Sequence, residues 1–429
     1  MSSSVAKLAL PITLGVLADS LLSLISLWAV TRISTEATAA VGLSGYLFFL
    51  INAAFSVFVG GVSVVASQAL GAGKHDVASR AAGETLAAAV LFSLALAGTA
   101  PLWLRSYLAL LSQGNPGVVL EGYRYAVVRM LSLPAMAVNA VLSSVYRSAE
   151  RPWPPAVGSA ISTAVGAAAI PVLAKPEVLG VVGAGLASSL ASYSGLAVYL
   201  VWPPPLAVKL ALPSSLAART LLVGLPTAAE RLVASAAHNV YINAVARGGT
   251  QALAAHNIGL TIENLVIQPS FAISMAALVE AGRRTGADNP REAARVTLES
   301  ARIGTLWMSF AALLLAASSP FVGYFFTEDA KIAELTTVYL LFAAASEVGL
   351  GASSALFGAI RGMGSVWLPL VISSVSVIAL RAVPAQLLSL FYGAPGAWAT
   401  QVTDMYGRAV MAYAAWRILG ARRLAKKLV

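Results

Sequence analysis

Apolar runs of about twenty residues, each long enough to cross a bilayer, recur from one end of this chain to the other. No single run dominates as an anchor for a soluble domain. Of 429 residues only 11% are charged and 58% are hydrophobic, whereas a soluble globular chain carries roughly 25% charged residues. A surface wet on all sides is therefore excluded, and the chain reads as a membrane domain throughout. Taking runs between Gly, Pro and charged punctuation predicts helices over 5–30, 37–70, 82–111, 123–145, 155–173 and 179–202. A second set follows over 216–246, 252–279, 296–318, 332–360, 366–391 and 397–418. The expectation is an all-α integral membrane protein of about twelve transmembrane helices.

The run Pro203-Pro204-Pro205 through Pro213 separates six predicted helices from six. This gives an N-terminal six-helix bundle over 1–203, a cytoplasmic linker over 204–215 and a C-terminal six-helix bundle over 216–429. An internal repeat supports the division. Leu10-Pro11 is echoed by Leu225-Pro226, Thr35 by Thr250, and Ala39-Ala40 by Ala254-Ala255. Val64 maps to Val279, Gly71-Ala72 to Gly286-Ala287, Ala78 to Ala293, Arg80 to Arg295 and Glu84 to Glu299, every pair 215 residues apart. Six crossings preserve chain direction, so the repeat is parallel, with its axis along the membrane normal. Two pseudo-symmetric halves facing each other across a central cavity are expected.

Basic residues concentrate in alternate loops: Lys74 and Arg80; Arg147 and Arg151; Lys209 and Arg219; Arg283, Arg284, Arg291, Arg295 and Arg302; Arg361; and the tail from Arg417 to Lys427. The opposite loops hold few, and the positive-inside rule then puts both termini in the cytoplasm. The net charge of +10 is read as this topology signal, and no nucleic-acid partner is expected. All tryptophans but Trp307 lie near predicted helix ends (Trp28, Trp103, Trp153, Trp202, Trp367, Trp398 and Trp416), as an interfacial belt requires. The N-terminus enters the first helix without a cleavage site, so no signal peptide is read there. Cysteine is absent, which excludes disulfides and thiolate chemistry, and His75, His238 and His256 lack metal-ligand spacing. No metal and no cofactor other than a coupling ion is expected.

Several loops carry a family resemblance. Ser34-Thr-Glu-Ala-Thr-Ala-Ala-Val-Gly-Leu-Ser44 and Ser67-Gln-Ala-Leu-Gly-Ala-Gly73 resemble the multidrug and toxic compound extrusion (MATE) transporters, within the multidrug/oligosaccharidyl-lipid/polysaccharide flippase superfamily. Gly249-Thr-Gln-Ala-Leu-Ala-Ala-His-Asn-Ile258 repeats the theme. Gly358-Ala-Ile-Arg-Gly-Met-Gly364 with Pro369 looks like the family's arginine-glycine loop between its tenth and eleventh helices. The resemblance implies a V-shaped pair of six-helix bundles that export organic cations in exchange for protons or sodium. The motifs themselves read as structural: Gly71, Ala72 and Gly73 permit a sharp turn, and Arg361 is placed to bond freed carbonyls at its own helix end. Departures are visible too. Ser26 stands where many members carry an aspartate, Gly166 and Ile170 stand near the usual asparagine and aspartate, and Glu280-Ala281 replaces Gly-Gln. The loop Arg147-Ser-Ala-Glu-Arg151 also lacks the family's glycines.

An ionisable side chain at bilayer depth costs about 2.5–3.5 kcal/mol on insertion scales, so it normally faces the bundle interior. Asp19, Ser23 and Ser26 share one face of the first helix and read as an ion site; otherwise Asp19 caps a broken turn or pairs with an arginine. Glu230 lies one turn after Pro226, with His238 two turns along roughly the same face and Asn239 and Asn243 adjacent. Either cation binding or an ion pair near the cytoplasmic end accounts for it; Arg231 is the nearest cation but points about 100° away. Glu263, with Asn264 and Gln268, resembles a position often acidic in one branch of the family, and Glu347 sits about one turn from another. His256 reads as a hydrogen-bonded core histidine. Arg381 is matched with Glu347, with Asp404 or with an anionic cargo, and Glu84 and Glu299 read as structural acids at positive helix starts.

The leading expectation is an ion-coupled (H+ or Na+) antiporter that exports amphipathic, cationic drugs or toxins by alternating access. It would act as a monomer in the plasma membrane on a small-molecule substrate amid membrane lipid. An alternative within the superfamily is a flippase or exporter of lipid-linked or anionic metabolites, using Arg231 and Arg381. An enzyme is not expected, because no clustered acid/base, metal or nucleotide-binding motif is present.

Overall fold

The computed structural model describes residues 4–208 and 211–429, with the backbone alone for Leu27 and Thr35. Lys209 of the expected linker lies outside them, as do the first residues before Ser4. All regular structure among the described residues is helical. Lipid imposes this, since a spanning segment must satisfy its own backbone polar groups.

The first half contains α1 (Ser4–Val30), α2 (Thr35–Gly71), α3 (His75–Leu111), α4 (Pro116–Arg129), α5 (Leu133–Ser148), α6 (Trp153–Leu173), α7 (Gly180–Leu196) and α8 (Val198–Val201). The second contains α9 (Ser215–Ala246), α10 (Thr250–Val266), α11 (Gln268–Gly286), α12 (Pro290–Phe326), α13 (Ala330–Gly362), α14 (Trp367–Ser376) and α15 (Val383–Leu424). Ten stretches among the described residues are long and apolar enough to cross a membrane. The last of these, Trp367–Leu424, breaks at Gly393, whose φ of 60° and ψ of −146° are non-helical. α9 has spanning length but is not among the ten; its Glu230, Arg231, His238, Asn239 and Asn243 dilute its hydropathy. With that split and that helix, each half supplies six spans, as the sequence predicted.

Several predicted helices are composite. The predicted fourth helix is α4 and α5 joined by a 3₁₀ turn over Met130–Ser132, because Pro134 removes a helical donor. Pro269 does the same between α10 and α11, so the predicted eighth helix is two pieces. The predicted eleventh contains a π-helical stretch, Val377–Ala382.

Contacts group the chain into two compact units: Leu14–Ala66 with His75–Leu225, and Met1–Thr13 with Ser67–Lys74 and Pro226–Val429. In the first unit Glu84 is buried and its carboxylate caps the start of α9. It accepts from the backbone N–H of Ser214 and Ala217, both at 3.2 Å, and from the Ser214 hydroxyl at 2.5 Å. The role is structural, as read from the sequence, but it is exercised at the start of α9 and not at the start of its own helix. In the second unit the end of α2 packs directly on α11. A Cβ added to Gly71 would stand 2.0 Å from the Arg283 carbonyl oxygen, and one on Gly286 would stand 1.9 Å from that of Gln68. Residues 68 and 71 map onto 283 and 286 under the 215-residue shift, so the contact is symmetric under the repeat.

Two expectations are corrected. Trp398 is fully buried and packs edge-on to Tyr339 at 5.5 Å, in a core with Tyr241 and Leu340. α15 runs on past the Gly393 break, which carries this tryptophan into the bundle and out of an interfacial belt. Arg361 does not bond its own helix end. Its guanidinium pairs with Glu230, and the carbonyls of Gly362 and Met363 accept from Gln68 and Lys426 instead.

Candidate ion- and substrate-binding site

The second unit gathers acids and aromatic rings within helices of membrane-spanning length. Glu263 of α10 is buried. Its carboxylate accepts a hydrogen bond from the Tyr339 hydroxyl of α13 and another from Gln401 Nε2 of α15 at 2.5 Å. The same Gln401 nitrogen donates to Ser346 Oγ at 3.1 Å, and Gln401 Oε1 accepts from Arg381 at 2.9 Å. Glu347, one element over on α13, is 0% exposed; neither of its oxygens has a hydrogen-bond partner, and Glu263 lies within its electrostatic reach. Around these acids stand Tyr339, His256 and Trp398: His256 meets Tyr339 edge-to-face at 4.8 Å and Tyr241 at 5.8 Å.

His256 is a core residue as expected, but it is not hydrogen-bonded: it is fully buried and both ring nitrogens lack partners. Rings fill the space around it where a polar partner would have to sit. His238 joins the same cluster, 6.3 Å from His256 between ring centroids.

Arg381 projects from the π-helical stretch onto the face of Tyr241, 4.4 Å from its centroid. Its distance to Asp404 is 3.9 Å. Asp404 is held closely by Arg408, with Nε and Nη2 contacts of 2.8 and 2.7 Å, and by Ser376 at 2.7 Å. Of the partners considered from the sequence, Asp404 is thus the one the structure brings near Arg381.

The remaining predicted residues are placed elsewhere. Glu230 is paired with Arg361, the ion-pair reading of that residue, and neither side chain exceeds 18% exposure. Asn239 is exposed, and Gln268 donates to the carbonyl of Asn264 at 2.9 Å. In the first unit Asp19 is accessible, and Ser159 of α6 stands close enough to interact with its carboxylate. Tyr199 lies in its electrostatic reach and donates to Asn139 Oδ1 at 2.6 Å. The Ser23 hydroxyl donates to the Asp19 carbonyl at 3.2 Å, and the buried Ser26 hydroxyl has no partner. The three residues therefore share a helix face without forming one ligand set.

Sequence reading missed Tyr339, Gln401, Ser346 and Tyr241 in the second unit, and Asn139, Ser159 and Tyr199 in the first. One signal was available: Gln401, Asp404 and Arg408 fall at i, i+3 and i+7 in an otherwise apolar helix. Among the described residues no three His, Asp or Glu side chains converge as a metal site.

Twelve spans in two like halves, with buried acids inside the second, define a polytopic membrane protein with a polar site in its interior. The MatE family model matches residues 11–172 and again 226–387, two copies offset by the same 215 residues as the internal repeat, and the chain belongs to that family. A probable multidrug resistance protein NorM of Thermotoga maritima is 24% identical, covering 88% of this chain and 84% of its own length. A NorM of Bradyrhizobium diazoefficiens is 27% identical over 99% and 93%. Among solved structures, a transporter of the multidrug/oligosaccharidyl-lipid/polysaccharide superfamily from Pyrococcus furiosus superposes with a TM-score of 0.89. It has 19% identity and covers 99% of this chain and 96% of the other. The bent form of the Vibrio cholerae MATE transporter VcmN does so equally well, at 0.89 and 19% over 98% and 96%. At these identities the structures share the fold.

Proposed function

We propose that this protein is a secondary active antiporter that exports amphipathic organic cations by alternating access, driven by H+ or Na+. The observation that carries this reading is Glu263, a buried carboxylate oriented by Tyr339 and Gln401 beside the unpartnered carboxyl of Glu347. An acid kept at bilayer depth without a cation in direct contact is a place to bind one, whether proton, sodium ion or organic cation. The surrounding aromatic faces suit an apolar cargo of variable shape, while the acids select its sign. Asp19 with Ser159 offers a second, more accessible carboxylate in the first unit. The multidrug designation of the NorM relatives agrees with this reading. Alternate basic loops support a topology with both termini in the cytoplasm, and on this reading the protein works as a monomer in the plasma membrane. Arg381 does not favour an anionic cargo, since Gln401 and Tyr241 already engage its guanidinium and the Asp404 carboxylate stands 3.9 Å away.

The test is flux of tetraphenylphosphonium in proteoliposomes under imposed proton or sodium gradients. Glu263→Gln is expected to abolish gradient-driven flux without lowering the yield of folded protein. Undiminished driven flux in that variant would remove the assignment.

A further inference from the structure

Charge bookkeeping around Glu263 leaves one cation without an obvious task. Asp404 is satisfied without Arg381: Arg408 grips both of its oxygens, at 2.8 and 2.7 Å, and Ser376 adds a third hydrogen bond at 2.7 Å. Arg381 stands 3.9 Å from that carboxylate, beyond hydrogen-bonding range. Its close contacts are neutral, the Gln401 carbonyl oxygen at 2.9 Å and the Tyr241 ring at 4.4 Å. Gln401 turns its other end to Glu263 at 2.5 Å. One amide therefore links Arg381, left over once Asp404 and Arg408 pair, to the buried acid that no cation contacts. The guanidinium feels Glu263 directly as well.

A guanidinium lying on a tyrosine face, with an amide oxygen at its edge, uses the same features that hold an organic cation. It also has somewhere to go. Closing the gap to Asp404 would give it a full hydrogen bond, and it sits in a π-helical stretch, an irregularity of helices concentrated at functional positions.

We propose that Arg381 is a tethered counter-cation that occupies the cation site of the second unit when no cargo or coupling ion is bound. Cargo displaces it from Tyr241 and Gln401 toward Asp404, which frees the aromatic face and the Glu263 charge. Arg381 is on this view a specificity-determining residue: it sets how strongly a cation must bind to enter, and it balances the buried acid while the site is empty. The inference rests on Glu263 being the cation site.

The experiment measures equilibrium binding of tetraphenylphosphonium to the purified full chain. Removing the internal competitor in Arg381→Gln is expected to tighten binding by about tenfold and to slow turnover, so that KM and kcat fall together. Arg381→Lys keeps the charge but loses the planar stack, and it is expected to fall between that variant and the parent. It also serves as the readout should Arg381→Gln fail to fold. In every background, adding Glu263→Gln abolishes binding. Unchanged or weaker binding in the Arg381 variants, with Glu263→Gln still abolishing it, overturns the tethered cation and leaves the proposed function standing. Unchanged binding in Glu263→Gln alone overturns that function and this inference with it.

Discussion

At the scale of single residues, the second unit holds two acids with opposite surroundings. Glu263 is oriented by two donors, whereas Glu347 has none and no water-accessible surface. An unsatisfied polar group in a packed core costs about 1–3 kcal/mol of stability, and replacing it by an apolar group of similar volume removes that cost. On the proposed function, a residue kept at such a cost serves the site and not the scaffold, the usual trade between stability and activity. Glu347→Met is accordingly expected to raise the thermal midpoint in detergent, by about 1 kcal/mol or more in unfolding free energy, while reducing gradient-driven flux to background. Intrinsic tryptophan fluorescence reports the first and the proteoliposome assay the second. A lower midpoint with unchanged flux would instead make Glu347 a structural residue.

At the scale of elements, the interruptions matter more than the helices. Gly393 divides α15 with a φ of 60° and a ψ of −146°, a region that only glycine occupies at low cost; any other residue held in such conformations pays about 1–3 kcal/mol. Space is not the obstacle, since nothing lies within 4 Å of a Cβ placed there. Gly393→Ala should therefore lower the thermal midpoint by an amount in that range through backbone strain alone. A midpoint within error of the parent would mean that α15 continues unbroken through residue 393. The same elements show what the sequence made legible. Long apolar runs marked every span, because hydropathy is summed over many residues and survives local error. The split at Ile267 was foreshadowed by Pro269, yet the continuous apolar pattern through residues 252–279 concealed it. The π-helical stretch at Val377–Ala382 left no trace in composition, since it arises from packing and hydrogen-bond register. Of the site, Glu263 and Glu347 were visible as charges in apolar runs. Tyr339 and Gln401 were not, because a tyrosine or glutamine in a helix gains meaning only from what stands across the bundle. Arg361 misled for the same reason: its local motif pointed to its own helix end, but Glu230, 131 positions away, took its charge.

At the scale of the whole molecule, the repeat preserves packing and abandons chemistry. Arg80 and Glu84 recur as Arg295 and Glu299, and Gly71 recurs as Gly286. In contrast, the counterparts of Glu263, Glu347, Arg381 and Asp404 are Phe48, Ser132, Gly166 and Ser189, and that of Asp19 is Ala234. Duplicated halves thus share a scaffold while each carries its own acids, so contacts symmetric under the shift are the ones to test for structural equivalence. The meeting of α2 and α11 is such a contact, because each glycine admits the other helix's carbonyl oxygen at a distance that no Cβ tolerates. Gly71→Ala and Gly286→Ala should each force the two helix ends apart and lower the thermal midpoint by similar amounts. The helices need separate only once, so the double variant is expected to lose less than the sum of the singles, with a coupling of about 0.5–3 kcal/mol, as found for residues sharing one contact. Additive losses, or a loss in one variant alone, would show that the two glycines act at independent sites. The symmetry read from the 215-residue spacing would then be one of sequence without being one of packing.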